Sequence, residues 1–415
     1  MPGQVSLRWL PIAIASLAAL GIATLEYRAL SGLDLEILEA GGPSELRPGP
    51  PWGGLAGRRL SAVVEAGWRK DPEAAESFLS WHLQRYPVDH SRWYHRAIIA
   101  RDLNHDRELV LAHLEAAVAA QPGNREGRWR AATLAQLLGE PDLAATHLRH
   151  WLHGQPSATG QALFAAGRWI GDPDTLLDLV VPAGEVHLLA VLRFAREHGR
   201  VDLARAAWSR LPRPRPPGDG GLLDLVDLLL ASGDHQMAMA AWSETYPDYR
   251  PGQVPNGDFQ HPFQTARGLD WDTRMSSGRA SRDTQRFITE PASLRLDFDG
   301  DETLRLGRPA VRIPVTANPE GWVLSGYWRG ERLTTRALPY LSIRSGNGTR
   351  VRVDLPARTF DWAPFRVEID GLDETSLLQL QLQRDPPPHQ FDRFLAGTLW
   401  LDALRLEARI PAAGE

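Results

Sequence analysis

The chain has no cysteine in its 415 residues, which removes disulfides, thiolate-held zinc, iron–sulfur clusters and thiol nucleophiles together. Lysine is nearly missing too: Lys70 is the only one, and arginine supplies the other cations. Acids outnumber bases and the formal net charge is −5, so no global positive field exists to hold nucleic acid. Also absent are a phosphate-binding P-loop, a dinucleotide fingerprint, a nucleophile elbow and a His-Glu-x-x-His run. With no reactive constellation, the expectation is a non-catalytic protein with no cofactor. What is present is ordinary for a folded chain, 43% hydrophobic and 23% charged, over a length that calls for more than one core.

One apolar run stands apart. Trp9 to Leu25 carries no charge, with Arg8 before it and Glu26, Asp34, Glu36 and Glu39 beyond. At about 1.5 Å per residue it reaches the short end of a bilayer span. The charge asymmetry orients residues 1–8 inside and the bulk of the chain outside. The expectation is a transmembrane signal anchor over 9–25. A signal peptide cleaved near Gly21-Ile22-Ala23, giving a secreted chain, is the alternative. Residues 26–54 read as a linker, rich in proline and glycine from residue 41.

From 55 to 250 the apolar spacing is helical and the segment repeats. Gly139-Glu-Pro-Asp-Leu-Ala, Gly199-Arg-Val-Asp-Leu-Ala and Gly233-Asp-His-Gln-Met-Ala each lead to a large apolar residue, Leu148, Trp208 or Trp242. Weaker copies start at Lys70, His105 and Gly171, so successive starts are 28 to 35 residues apart. Pro87, Pro122, Pro156 and Pro247 are placed to end helices. The pattern resembles the tetratricopeptide repeat, which implies an all-α helical-hairpin solenoid that docks protein partners. Arg92, Trp93, Arg128 and Trp129 fall at equivalent places on first helices and are the candidate protein contacts, with inter-helix packing as the competing reading.

Beyond 251 the spacing becomes alternating. Eight short runs read as strands: 293–298, 310–315, 322–328, 340–345, 350–355, 365–369, 377–383 and 399–407. Together they predict an all-β jelly-roll sandwich over 251–410, with 411–415 a tail. Asn256-Gly257-Asp258-Phe259, then Leu269-Asp270-Trp271, and a last strand with Leu399-Trp400-Leu401-Asp402, resemble the galactose-binding-like jelly rolls of carbohydrate-binding modules. That resemblance implies glycan contact through exposed aromatic rings. Of Trp271, Trp322, Trp328, Trp362 and Trp400, the pair in Asp-Trp contexts, Trp271 and Trp362 with Asp270 and Asp361, are the glycan-binding candidates. It also implies a structural Ca²⁺ at Asp258, Gln260 and Asp402, although the neutral Gln260 stands where relatives carry an acid.

His147, His150 and His153 lie three apart on one predicted helix with no carboxylate to complete a metal set, and read as a solvated or interface face. The whole arrangement resembles repeat proteins associated with bacterial exopolysaccharide assembly. It implies a scaffold in the inner membrane, with its bulk in the periplasm and envelope proteins as partners. Carbohydrate binding by the sandwich is the alternative, with polysaccharide as partner, and a glycan-active hydrolase is the third.

Overall fold

The computed structural model describes residue 68 and residues 72–409, apart from 265, 303–304, 346–347, 349 and 373. The expected anchor, linker and C-terminal tail lie outside the described residues. Among the described residues no helix is long and apolar enough to cross a membrane. The chain divides into two compact units between Gln155 and Pro156.

The first unit holds α1 (Pro72–Arg85), α2 (His90–Asp102), α3 (Arg107–Ala120), α4 (Arg125–Leu137) and α5 (Pro141–Leu152). Helix α2 pairs with α3, and α4 with α5. Asp89 and Asn124 cap α2 and α4 by accepting the backbone N–H groups of Arg92 and Gly127. Alanines set how close the helices come: Ala97, Ala100, Ala131, Ala135, Ala144 and Ala145 are all buried.

The second unit begins with α6 (Thr159–Ala166), α7 (Pro173–Val180), α8 (Glu185–His198), α9 (Val201–Ser209), α10 (Gly220–Ala231) and α11 (His235–Thr245), again paired in sequence. Each second helix, α1, α3, α5, α7, α9 and α11, begins two residues after a repeat start read from the sequence. Gly139, Gly199 and Gly233 take φ of 75°, 66° and 82° and turn the chain between paired helices. Leu148, Trp208 and Trp242 are buried, as the repeat required.

Nine strands follow: β1 (Arg279–Asp283), β2 (Ser293–Glu302), β3 (Ala310–Val315), β4 (Trp322–Glu331), β5 (Tyr340–Ser345), β6 (Arg350–Asp354), β7 (Phe360–Ile369), β8 (Ser376–Gln383) and β9 (Phe394–Ala408). They form two antiparallel sheets, ordered β1-β2-β9-β4-β7 and β3-β8-β5-β6. Leu294, Leu296, Leu399 and Leu401 from one sheet meet Val311, Ile313, Leu341, Ile343, Leu378 and Leu380 from the other in a single core.

Helices give way to strands after residue 251, yet the compact unit runs across that point. Asp227 on α10 accepts hydrogen bonds from Arg267 Nε (2.8 Å), Arg312 Nη2 (2.6 Å) and the Gly268 N–H (3.0 Å). Asp224, one turn earlier, accepts from Arg267 at 2.6 Å and pairs with Arg196 of α8 at 2.8 Å. Burial pushes the Asp227 carboxyl up, but the bonds from Arg312 and Gly268 outweigh it and hold the group below its ordinary range. The sandwich is thereby fastened to the last helical hairpin.

Candidate functional site

The expected protein contacts on the helices pack inward. Arg92 is only 1% exposed, with its guanidinium 3.7 Å from Asp89, and cannot present itself to a partner. Trp93 is half-buried and donates its indole N–H to the Pro87 carbonyl at 2.8 Å. Trp129 lies 4.7 Å from the Trp151 ring, and Arg128 reaches His147 Nδ1 at 3.3 Å. His147 is therefore buried beside a cation, whereas His150 and His153 are exposed. The three histidines do not converge. Burial first, then Arg128 and His150, lower the His147 pKa to about 4.

Trp271 corrects the expectation of an exposed ring. It is 1% exposed, with its indole N–H given to the Pro255 carbonyl at 2.9 Å and its ring 5.4 Å from Phe259. Residues 12 to 16 positions earlier in the chain cover it, which its Asp-Trp context could not show. Asp270 accepts the N–H groups of Gln264 and Trp271 and fixes the same loop. Trp362 is half-buried on β7, and Asp361 is exposed, 3.1 Å from Arg329. Strand β7 is one edge of the five-stranded sheet, and with Trp271 buried the two tryptophans form no common exposed platform. Trp322, Trp328 and Trp400 are buried.

The Asn-Gly-Asp-Phe run is a clip onto β9. Asn256, at φ 47°, bonds both the N–H and the carbonyl of His261. A Cβ on Gly257 would stand 2.2 Å from the Leu404 carbonyl oxygen, and the Gly257 carbonyl accepts the Leu404 N–H at 2.8 Å. Phe259 is wholly buried. The three positions named for Ca²⁺ do not fit a hard-cation site. Asp402 is fully buried and its oxygens accept N–H groups from Ile288, Thr289 and Ala403 at 2.6, 2.9 and 2.6 Å. Burial raises its pKa, against those three bonds. Gln260 turns its amide N–H toward Asp258, at 2.7 Å, rather than an oxygen toward a shared point. Among the described residues no cluster of three or more histidines and acids could hold a metal ion.

Two surfaces remain. One is a polar groove of about 480 Å³ beside the clip, lined among others by Tyr246, Arg250, Asp258, His261, Asp270 and Glu407. The other is the outer face of the β3-β8-β5-β6 sheet. Because Leu341, Ile343, Leu378, Leu380 and Leu382 point into the core, the alternate residues of these strands face outward. Register then sets them in rows. Arg312, Gln379, Arg344 and Arg350 form one row across all four strands. Gln381, Ser342 and Arg352 form the next, in which Gln381 and Ser342 are buried, and Gln383, Tyr340 and Asp354 form the third. The Tyr340 ring is covered by the Arg352 guanidinium at 3.7 Å, which Asp354 and Asp385 hold at 2.7 and 2.5 Å. The signal for this face in the sequence was the alternation in 340–345, 350–355 and 377–383.

No protein-family model matches the chain, and no curated protein matches it. Its C-terminal part resembles carbohydrate-binding β-sandwiches of solved structure. One is the Family 16 Carbohydrate Binding Module-2, at 15% identity over 37% of this chain and 97% of that one, TM-score 0.26. Another is the CBM22-1 xylan-binding domain from Paenibacillus barcinonensis Xyn10C, at 17% identity over 37% and 94%, TM-score 0.23. A third is TmCBM61 in complex with beta-1,4-galactotriose, at 9% identity over 39% and 100%, TM-score 0.28. Likeness of this size transfers no ligand and no site.

Proposed function

We propose that this is a non-catalytic glycan-binding protein and that the outer face of the β3-β8-β5-β6 sheet is its contact surface. One observation carries the reading: Gln379, Gln383, Tyr340, Arg344 and Arg350 stand in register on adjacent strands, outside the core and none of them buried. Sugar hydroxyls both donate and accept, and side-chain amides answer them in both directions. A flat sheet spaces such groups about 4.8 Å apart across strands and so presents a ladder to an extended polymer. The last helical hairpin, fastened through Asp224 and Asp227, serves as a rigid mount. The anchor expected at 9–25 would hold that mount on the extracytoplasmic side of a membrane.

Affinity electrophoresis of the full chain through gels cast with soluble polysaccharides tests the reading. At least one polysaccharide is expected to retard the protein, and Gln379→Ala with Tyr340→Ala to release it without loss of fold. Free migration in every gel, or unchanged retardation of the variant, would sink the proposal.

A further inference from the structure

We infer that the ligand of this face is an acidic glycan, a polymer whose sugars carry carboxylates, gripped by Arg344 and Arg350. The inference rests on the glycan-binding reading and adds the charge of the ligand to it.

Arg344 and Arg350 are direct cross-strand partners on β5 and β6. Like charges set opposite each other on a sheet cost stability. Elsewhere on the face that cost is cancelled from within the protein: Arg312 meets Asp227, and Arg352 meets Asp354 and Asp385. No acid among the described residues lies at ion-pair distance from Arg344 or Arg350. Arg344 is half-buried, and its Nε is shut from solvent with no acceptor. A charged donor left in that state is expensive.

A carboxylate seated between the two guanidinium groups removes the repulsion and accepts from their terminal Nη groups in the planar, forked geometry arginine favours. Gln379 stands opposite both Arg312 and Arg344 in the same row, beside that position, where it can bond a neighbouring hydroxyl. Neutral glycans are held largely by bare aromatic faces on which a pyranose stacks. Here the face's one ring, Tyr340, already lies under Arg352. The surface therefore offers charge-assisted hydrogen bonds in place of stacking.

The test is titration of the full chain with polygalacturonate, with a neutral galactan of matched length, and with polyglutamate as an acid without sugar. Polygalacturonate should bind at least about tenfold more tightly than galactan, the size of one charge-assisted contact. Arg344→Gln and Arg350→Gln should each remove about that factor while leaving the melting temperature unchanged or higher. Arg344→Lys, which keeps the charge and loses the fork, should recover part of it. Equal binding of galactan and polygalacturonate, untouched by the arginine variants, would overturn the acidic ligand and leave glycan binding standing. Polyglutamate bound as tightly as polygalacturonate would overturn it in favour of a general polyanion surface. Binding of neither glycan would remove both readings.

Discussion

Removing the Asp227 carboxylate is the sharpest test of how the sandwich is fastened to the helices. In Asp227→Ala, Arg267 Nε, Arg312 Nη2 and the Gly268 N–H all lose the Asp227 carboxylate, and Arg312 Nη2 keeps the Gly268 carbonyl. A hydrogen bond to a charged group contributes about 1.5–3 kcal/mol. The full sum is not reached, because the Arg267 and Arg312 side chains are 36% and 35% exposed and recover water. A loss of about 2–4 kcal/mol is the expectation, which makes local opening about thirty- to seven-hundredfold more frequent. Hydrogen–deuterium exchange reads this directly. Amides of α10, of residues 266–272 and of β3 should exchange faster by that factor, while those of α2–α5 should not change. The sign with pH follows from the depressed carboxyl: its stabilisation is complete above the unfolded value of about 3.9 and is lost as pH falls through the folded one. The gap between wild type and variant should therefore be constant near neutrality and close only in acid. Unchanged exchange at Gly268 and β3 would show that Asp227 does not fasten the sandwich to α10, as would a gap that persists undiminished in strong acid.

Two further outcomes follow from buried titratable groups. Burial, ahead of nearby cations, lowers the pKa of both His113 and His147 to about 4. The unfolded chain takes up these protons first, so stability is complete above about pH 6.5 and falls by about 3 kcal/mol per histidine on approaching pH 4. Melting curves across that range should show the decline, and a His113→Gln/His147→Gln double variant should flatten it; equal slopes would contradict the assignment. Asp402→Ala strips the acceptor from three backbone N–H groups and should cost about 3 kcal/mol or more in denaturant titrations. Calcium or a chelator should leave the wild-type melting temperature where it is, and a rise with calcium would show that Asp402 serves a metal after all.

The parts of this fold that were legible in the sequence are those fixed by neighbours along the chain. The glycine turns at 139, 199 and 233 and the alanines after them are local needs of two helices packed back to back, so the repeat starts fell two residues before each second helix. Strand β1 escaped because Arg279-Ala-Ser-Arg-Asp283 has no apolar alternation; pairing with β2 makes it a strand. Trp271 and Arg92 were misplaced for the opposite reason, since their burial depends on groups that only the folded chain brings over them.

The candidate face divides along the same line. The Gly-Asn-Gly between 340–345 and 350–355 is a hairpin signal, and a hairpin there sets Arg344 against Arg350. That opposition of like charges was open to a sequence reading. The placing of Gln379 beside Arg344 was not, because β8 enters the sheet between β3 and β5 from more than thirty residues further along the chain. A binding row that spans four strands thus has a local half, the arginine pair, and a half that only sheet order creates. The local half carries the charge that would choose the ligand. The non-local half brings in the amides that would read its hydroxyls. An arginine pair on an isolated hairpin would hold any polyanion, so selection of a sugar acid over a peptide acid has to come from β8.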